Sequence, residues 1–569
     1  MVKTLPALLF EQAQKRGGAV ALRHKHRGLW KRVSWSEYGA QVRRVASALL
    51  GFGLHRGENV AILGENRPEW LYCHLGIMAA GGATCGIYAT SSAEQIEYLL
   101  GHCEARVLFL EDEEQLEKVL EILPRTRVER AIVWDAKGLW GFADPRVSFF
   151  DAFLQAQAAA LPEIDPGDTA MIIYTSGTTG PPKGAMLTHA NIDAISTALL
   201  AAYPLSEKDE TISCLPFAHV YENLISVFQA VRVGYVVNFV EAPETLFQNL
   251  REVSPTYFAH VPRLWEKIAS GVELRMQDST LLKRALYRWA LETRMRRLAD
   301  LLVFRPLRWQ LGFDRLRLAV CGAAPASPEL FRFFRTIGVP LVEGYGLTEV
   351  SGAISIDRVE DARPGTVGAP LPGIEIRLAD DGEILTRGAH VFKGYFKDPE
   401  LTARTIDTDG FLHTGDVGAW DGPRLRIVDR KKDIIVTAGG KNITPAYIEN
   451  KLKFSPYIQD AVIIGDRRKF VSALILIDEE NVTRFAQDHR IPFATFTDLT
   501  RETEVVKLIG REVDKVNRTL SQVETVKKFA LLPRRFYEED GDVTPTRKVK
   551  RRNIEGRYAE LIASLYGER

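Results

Sequence analysis

Along the first 170 residues, apolar positions recur at helical and strand periods in alternation. Tyr38, Val42, Val45, Ala46 and Leu49 fall on one face of a helix. Ser34 followed three residues later by Glu37 predicts a capping box that opens this helix, and Gly51 or Gly53 closes it. ENVAILG (58–64) is a short continuous apolar run, the pattern of a strand covered on both faces. RVLFLED (106–112) and RAIVWDA (130–136) repeat it after helical stretches. Strands alternating with helices predict α/β layers on largely parallel sheets. Tyr72 to Ala93 carries no Asp, Glu, Lys or Arg over 22 residues, but its four glycines and several Ser and Thr suit a buried helix–turn–strand better than a membrane span.

The pattern changes twice. Segment 263–318 is amphipathic and basic, with 13 Lys or Arg against 6 Asp or Glu and Trp265, Trp289 and Trp309 among them. It predicts helices with two open readings: a solvated pair packed on a core, or an element that meets a membrane surface or admits an acyl chain. From about Gly382 short strands and turns take over (GEILTRG, YFKDPE, DGFLHTGDVG). Beyond VDRKKD (428–433) lies a smaller module with strands DAVIIGD (460–466) and SALILID (472–478) and a polar helix. A domain boundary is therefore expected near Asp429.

Composition narrows the function classes. A chain of 569 residues predicts two to four domains or subdomains. With 74 basic and 73 acidic side chains, the net charge of +1 gives no reason to expect nucleic acid. Cys73, Cys85, Cys103, Cys214 and Cys321 are odd in number and scattered, as in reduced thiols of a cytoplasmic protein. The N-terminal apolar run is too short for a signal peptide.

YTSGTTGPPKGAMLTH (174–189) is rich in hydroxyls and glycine, poor core material, and follows the strand-like AMIIY. Such a loop cradles polyphosphate. It is not a Walker loop: counted from Gly177, the second glycine position is Pro182, and Lys183 is followed by Gly184. Pro181 and Pro182 also remove two amide donors. EGYGLTE (343–349) likewise fails as a dinucleotide fingerprint, because Glu349 stands where the third glycine belongs.

Both stretches closely resemble signatures of the adenylate-forming (AMP-binding) superfamily, and further motifs follow in that family's order: LPFAHVYEN (215–223), CGAAP (321–325), HTGD (413–416), DRKKD (429–433), AGGKNITPAYIE (438–449) and DVTPTRKVKRR (542–552). The likeness covers residues from about 5 to 555. VYEN, PTYFAHVPRLWEKI and the basic segment resemble the long-chain fatty acyl-CoA synthetases, including their bubblegum-like branch.

The resemblance implies an α/β adenylate-forming fold. A large N-terminal domain (1–428) of layered subdomains would carry the ATP and acyl sites. A hinge (429–432) centred on Lys432 and a small mobile α+β C-terminal domain (433–569) would follow. For ATP or AMP it implies Thr175, Ser176, Gly177, Thr178, Thr179 and Lys183 at the phosphates; Gly322, Ala323, Ala324, Pro325, Glu343, Gly344, Tyr345 and Gly346 at the adenine; and Asp416 and Arg430 at the ribose. Thr348 would contact phosphate, Glu349 would hold Mg²⁺, His219 would wall the site where carboxylate meets ATP, and Lys548 would be the catalytic lysine. Gly439 and Gly440 would line the CoA tunnel. Arg547 departs from the family pattern, where Gly or an apolar residue is common.

The implied reaction is ATP-dependent conversion of a long-chain fatty acid to acyl-AMP, then to acyl-CoA, with AMP and pyrophosphate as products. An acyl-AMP ligase loading a carrier protein is the alternative. The protein is expected in the cytoplasm, free or peripheral on the inner face of the membrane through 263–318, as a monomer or homodimer.

Overall fold

The computed structural model describes residues 2–175, 181–538, 540–544 and 548–567. The helix expected after Ser34 is Trp35–Phe52. Ser34 Oγ accepts from the Glu37 N–H, and Glu37 accepts from the Ser34 N–H at 2.7 Å. Gly53, not Gly51, ends it, in the left-handed conformation (φ 91°) that L side chains avoid. The charge-free segment becomes helix Pro68–Ala79, a turn and strand Ala83–Ile87. That helix crosses Trp35–Phe52 closely: a Cβ on Gly76 would meet Val45 at 2.6 Å. Among the described residues, no helix is long and apolar enough to cross a membrane.

An eight-stranded sheet forms one layer. Its parallel part comprises Thr169–Thr175, Ala83–Ile87, Asn59–Leu63, Val107–Leu110, Arg130–Val133 and Val147–Phe149, in that spatial order. Lys183–Thr188 adds antiparallel to Thr169–Thr175. A five-stranded sheet begins with parallel Tyr257–His260, Leu318–Cys321 and Leu341–Tyr345. An antiparallel four-stranded sheet (Glu375–Leu378, Glu383–Arg387, Leu412–Asp421, Arg424–Arg430) ends the large domain. Asp429 and Arg430 pair with Val417 and Asp416, so the expected hinge segment begins as the end of a strand, and the chain leaves the sheet at Lys431.

The small domain has its own core. Ile458–Ile464 and Val471–Ile477 pair antiparallel, and Val526–Leu531 adds parallel to the second. The middle strand is buried along its whole length, with helices Pro445–Lys453 and Thr503–Asn517 packed over one face of the sheet. Segment 263–318 lies mostly in helices: Pro262–Gln277, Leu281–Glu292, and a run from Arg296 to Leu311 interrupted by a π-turn at Asp300–Phe304. Its inner face joins a core with Trp265, Phe304 and Phe313.

Candidate active site

Strands Tyr257–His260, Leu318–Cys321 and Leu341–Tyr345 run parallel, and the loops after them open into one cleft of about 2010 Å³. Ligands gather at the carboxyl ends of parallel strands, where loops present free backbone groups. The volume is well above the roughly 300–1,000 Å³ of an ordinary pocket. Both domains wall this cleft, so the fold brings distant motifs together. Thr175, Lys183, His219, Gly322, Ala323, Ala324, Pro325, Glu343, Gly344, Tyr345, Gly346, Thr348, Glu349, Asp416, Arg430, Lys432 and Lys548 all line it. Thr175 and Lys183 are cross-strand partners, so the two ends of the phosphate-loop motif meet at the cleft. Ser176, Gly177, Thr178 and Thr179 lie outside the described residues.

Asp416 sits on Leu412–Asp421 opposite Arg430 in the ladder. The Arg430 Nε lies 3.2 Å from Asp416 Oδ1, and the Tyr345 hydroxyl donates to Asp416 Oδ2 at 2.8 Å. The carboxylate is thus fixed from two sides, with lone pairs left for a pair of hydroxyl donors. Burial raises the Tyr345 phenol well above its usual range, with the Asp416 charge adding to the effect.

Glu349 Oε1 accepts from the Tyr395 hydroxyl at 2.8 Å, and Lys183 Nζ lies 5.7 Å from the Tyr395 ring centre. No ion pair among the described residues neutralises Glu349. No cluster of three or more His, Cys, Asp or Glu among them would hold a metal alone. A single open carboxylate beside a phosphate site fits Mg²⁺, which usually takes one or two carboxylates and completes its shell with phosphate oxygens and water.

His219 caps the short helix Val220–Asn223, its Nδ1 accepting the Tyr221 N–H at 3.1 Å. Burial, reinforced by the nearby Lys548 charge, pushes its pKa down to about 3, so the ring is neutral and its proton sits on Nε2. Glu343 is pushed up to about 8 by burial, with the Asp357 charge adding and the Ala326 N–H opposing.

Lys548 comes from the small domain. The Thr544 N–H donates to its carbonyl at 2.8 Å, and its own N–H donates to Thr544 Oγ1 at 3.0 Å, so Lys548 is tied to Thr544 by two hydrogen bonds. A bridge joins Val543 and Val549 on either side of that pair, and Asp542 is anchored by Arg534 at 2.7 Å and Arg557 at 3.3 Å. The side chain is open to the cleft but crowded by protein of both domains. That desolvation, and then the Arg430 charge, lowers its pKa to about 8, while Asp416 and Glu349 oppose the shift.

Gly439 and Gly440 are not part of the cleft. They occupy the exposed turn between Ile435–Val436 and Asn442–Ile443. A Cβ on Gly440 would meet nothing within 4 Å, and one on Gly439 only Thr437 Oγ1 at 4.0 Å. Packing within the fold therefore gives no reason for the missing side chains, although Gly440 has φ 72°.

Gly346 is the opposite case. A Cβ there would stand 1.7 Å from the Gly352 carbonyl oxygen and 2.6 Å from Ala353 Cα, both backbone atoms. Gly346→Ala is expected to displace the 345–353 loop. Overpacking of this kind costs about 1–3 kcal/mol. A lower melting temperature together with weaker nucleotide binding by calorimetry is the expected result; unchanged values for both would contradict the packing.

Residues 9–396 match the AMP-binding enzyme family, and 432–569 match the AMP-binding enzyme C-terminal domain. The chain belongs to the AMP-binding enzyme family. Among curated relatives, a long-chain-fatty-acid–CoA ligase of Mycobacterium bovis is 35% identical over 99% of this chain and 97% of its own. A long-chain-fatty-acid–CoA ligase of Mus musculus is 32% identical over 99% and 86%. The adenylation domain of a carboxylate reductase from Mycobacterium chelonae superposes with TM-score 0.81 at 21% identity, covering 100% of this chain and 91% of that one. The anthranilate CoA ligase AuaEII, solved with anthranoyl-AMP, gives 0.77 at 20%, covering 99% and 98%. Both structures share the adenylate-forming fold.

In this AMP-binding enzyme the sequence reading passed over Tyr395, Asp542 and the detailed role of Glu222. Glu222 is buried and accepts from Ser213 Oγ (2.6 Å), Ser226 Oγ (2.5 Å) and the Leu215 N–H (3.0 Å), tying down the loop that carries His219. Burial pushes its pKa up to about 7 despite those donors. Tyr395 and Asp542 act across breaks in sequence, so no local spacing marks them.

Proposed function

We propose that this AMP-binding enzyme uses ATP to activate a long-chain fatty acid as acyl-AMP and then transfers the acyl group to CoA. One observation carries the reading: Lys548 of the small domain lines the same cleft as Asp416, Arg430 and Glu349 of the large domain, and that cleft is big enough for nucleotide and a long acid together. The long-chain-fatty-acid–CoA ligases to which the chain is similar over almost its whole length support the acid class.

In the first step a carboxylate oxygen attacks the ATP α-phosphorus and pyrophosphate leaves. Anion meets anion, so the site must supply positive charge and fixed donors. Lys548 and Lys183 provide cations, and His219 Nε2–H is a neutral donor. Asp416 and Arg430 hold the ribose, and Tyr345 lies against the adenine. Mg²⁺, held by Glu349 and phosphate oxygens, would neutralise phosphate charge. In the second step the CoA thiolate sulfur attacks the acyl carbonyl carbon and AMP leaves. The Gly439–Gly440 turn then comes to the cleft by rotation of the small domain about Lys432.

Lys432→Pro is expected to hold one placement. One half-reaction should fall at least about tenfold relative to the other; equal retention of both would exclude a hinge there.

Apolar side chains of the cleft, among them Val220, Tyr221, Leu224, Tyr257 and Val320, suit an alkyl chain. Each methylene buried contributes about 0.8 kcal/mol, so affinity climbs steeply with chain length until the cleft is full. The test is AMP release with acetate, octanoate, palmitate, oleate and coumarate, each with and without CoA. CoA-dependent release that is largest for palmitate or oleate is expected. Turnover confined to acetate or coumarate would overturn the acid class. Pyrophosphate exchange without CoA-dependent turnover would replace CoA by a carrier protein.

A further inference from the structure

The outer face of the helical hairpin Leu281–Leu311 is unlike the rest of the surface. Among the described residues, eighteen large apolar side chains are exposed, and eight of them lie in this stretch. Leu281 and Leu282 are 78% and 79% exposed and Trp309 69%, with Leu301 and Leu302 at half or more. The spacing puts Leu282 and Leu286 on one stripe of the first helix, and Leu298, Leu302 and Trp309 along the second. The inward residues Ala290, Ala299 and Phe304 are buried in the core, so the outward apolar groups are not needed to fold the hairpin.

Exposed charge along the hairpin is mostly positive. Lys283, Arg288, Arg294, Arg296, Arg297 and Arg305 are exposed, and none has an acidic group within ion-pair reach among the described residues. Of the two acidic residues in the stretch, Asp300 is already paired with the half-buried Arg308 at 2.6 Å and Glu292 is exposed, so the exposed cations remain in large excess. Apolar tips interleaved with unpaired long cationic side chains match an interface whose outer layer is anionic and whose interior is hydrocarbon: leucines and Trp309 enter the acyl boundary while guanidinium groups stay at headgroup level. A second copy of this chain is a poor occupant, because a two-fold contact would set these unpaired cations against their own copies.

The position fits as well. Helix Pro262–Gln277 leads directly into the hairpin, and its first turns (Arg263, Leu264, Lys267) line the cleft. At 1.5 Å per residue, roughly 15 Å of helix separates Lys267 from the root of the patch.

We propose that the Leu281–Leu311 face docks this enzyme on an anionic lipid surface, so that a membrane-dissolved acid reaches the cleft along helix Pro262–Gln277. The reading of the acid as long-chain is assumed here, and the test separates the two. Full-length protein is sedimented with vesicles of phosphatidylcholine alone or of phosphatidylcholine mixed with anionic phosphatidylglycerol. Two variants are compared, Leu282→Ser/Leu301→Ser/Leu302→Ser and Arg294→Glu/Arg296→Glu/Arg297→Glu. Binding only to the anionic vesicles, lost at high salt and weakened at least about tenfold in both variants, is expected. AMP release from octanoate in buffer should be unchanged in both, while the KM for palmitate presented in anionic vesicles rises. No binding at low salt, or equal binding by wild type and variants, overturns the proposal whatever the acid panel shows. So does a dimer, seen by light scattering without vesicles, that the variants dissolve.

Discussion

Lys548→Ala is expected to slow acyl-AMP formation by about 10²–10³-fold, the usual loss when one preorganised donor to a developing anion is removed. The ammonium is a small-domain cation in the cleft that Asp416 and Glu349 also line, and both carboxylates act on its titration. Thioester formation from supplied acyl-AMP should persist, because that step forms no new charge at the α-phosphate. Pyrophosphate exchange reads the first step, and acyl-CoA formation from synthetic acyl-AMP reads the second. Undiminished exchange would remove Lys548 from the chemistry. The sign of the pH dependence follows from the lowered pKa of about 8. Below it the side chain is a cation; above it the charge is lost. The kcat/KM for ATP, which reports the free enzyme, should therefore fall as pH rises through about 8. ATP's own charge favours the ammonium once bound, so kcat should hold to higher pH. Lys548→Arg should flatten that limb, since a guanidinium stays charged.

Asp416→Ala is the second large effect. It removes the proposed acceptor for the ribose, leaves the Tyr345 hydroxyl without its 2.8 Å partner, and frees Arg430 to move. Charge-assisted hydrogen bonds contribute about 1.5–3 kcal/mol each, so losing two to the nucleotide should raise the KM for ATP by about 10²-fold or more. Asp416→Asn should fall between, keeping one acceptor oxygen but not the charge facing Arg430. Folding should suffer less: Arg430 is nearly half exposed, and such pairs contribute about 0–1 kcal/mol. A thermal melt close to wild type alongside the ATP defect is the expected pair of results. A melt that collapses with full ATP affinity in the surviving protein would make Asp416 a purely structural residue.

Local order was legible where one segment carries its own reason. Ser34 and Glu37 bond each other across three residues, and the helix begins there. The strand runs at 59–63 and 107–110 are continuous apolar stretches and became interior parallel strands. The choice between Gly51 and Gly53 was not legible, because only the final turn decides which residue takes positive φ. The strand through Asp429 and Arg430 was missed as strand for a similar reason. DRKKD reads as a charged turn, and only pairing with 416–417 makes its first two residues extended.

The order of motifs along the chain identified the family and the chemistry each motif brings. Periodicity predicted the layered α/β architecture. Those are local properties, written in side-chain type and spacing. Tertiary structure alone decided the rest. It brought Lys548 into one cleft with Arg430 and Asp416, gave Tyr395 to Glu349, and buried Glu222 against Ser213 and Ser226. It also left the leucines of the 281–311 hairpin facing outward while Ala290 and Phe304 turned in. The physical reason is common to all four: burial and electrostatic partnership depend on which surfaces meet, and that is decided only when the sheets and domains pack.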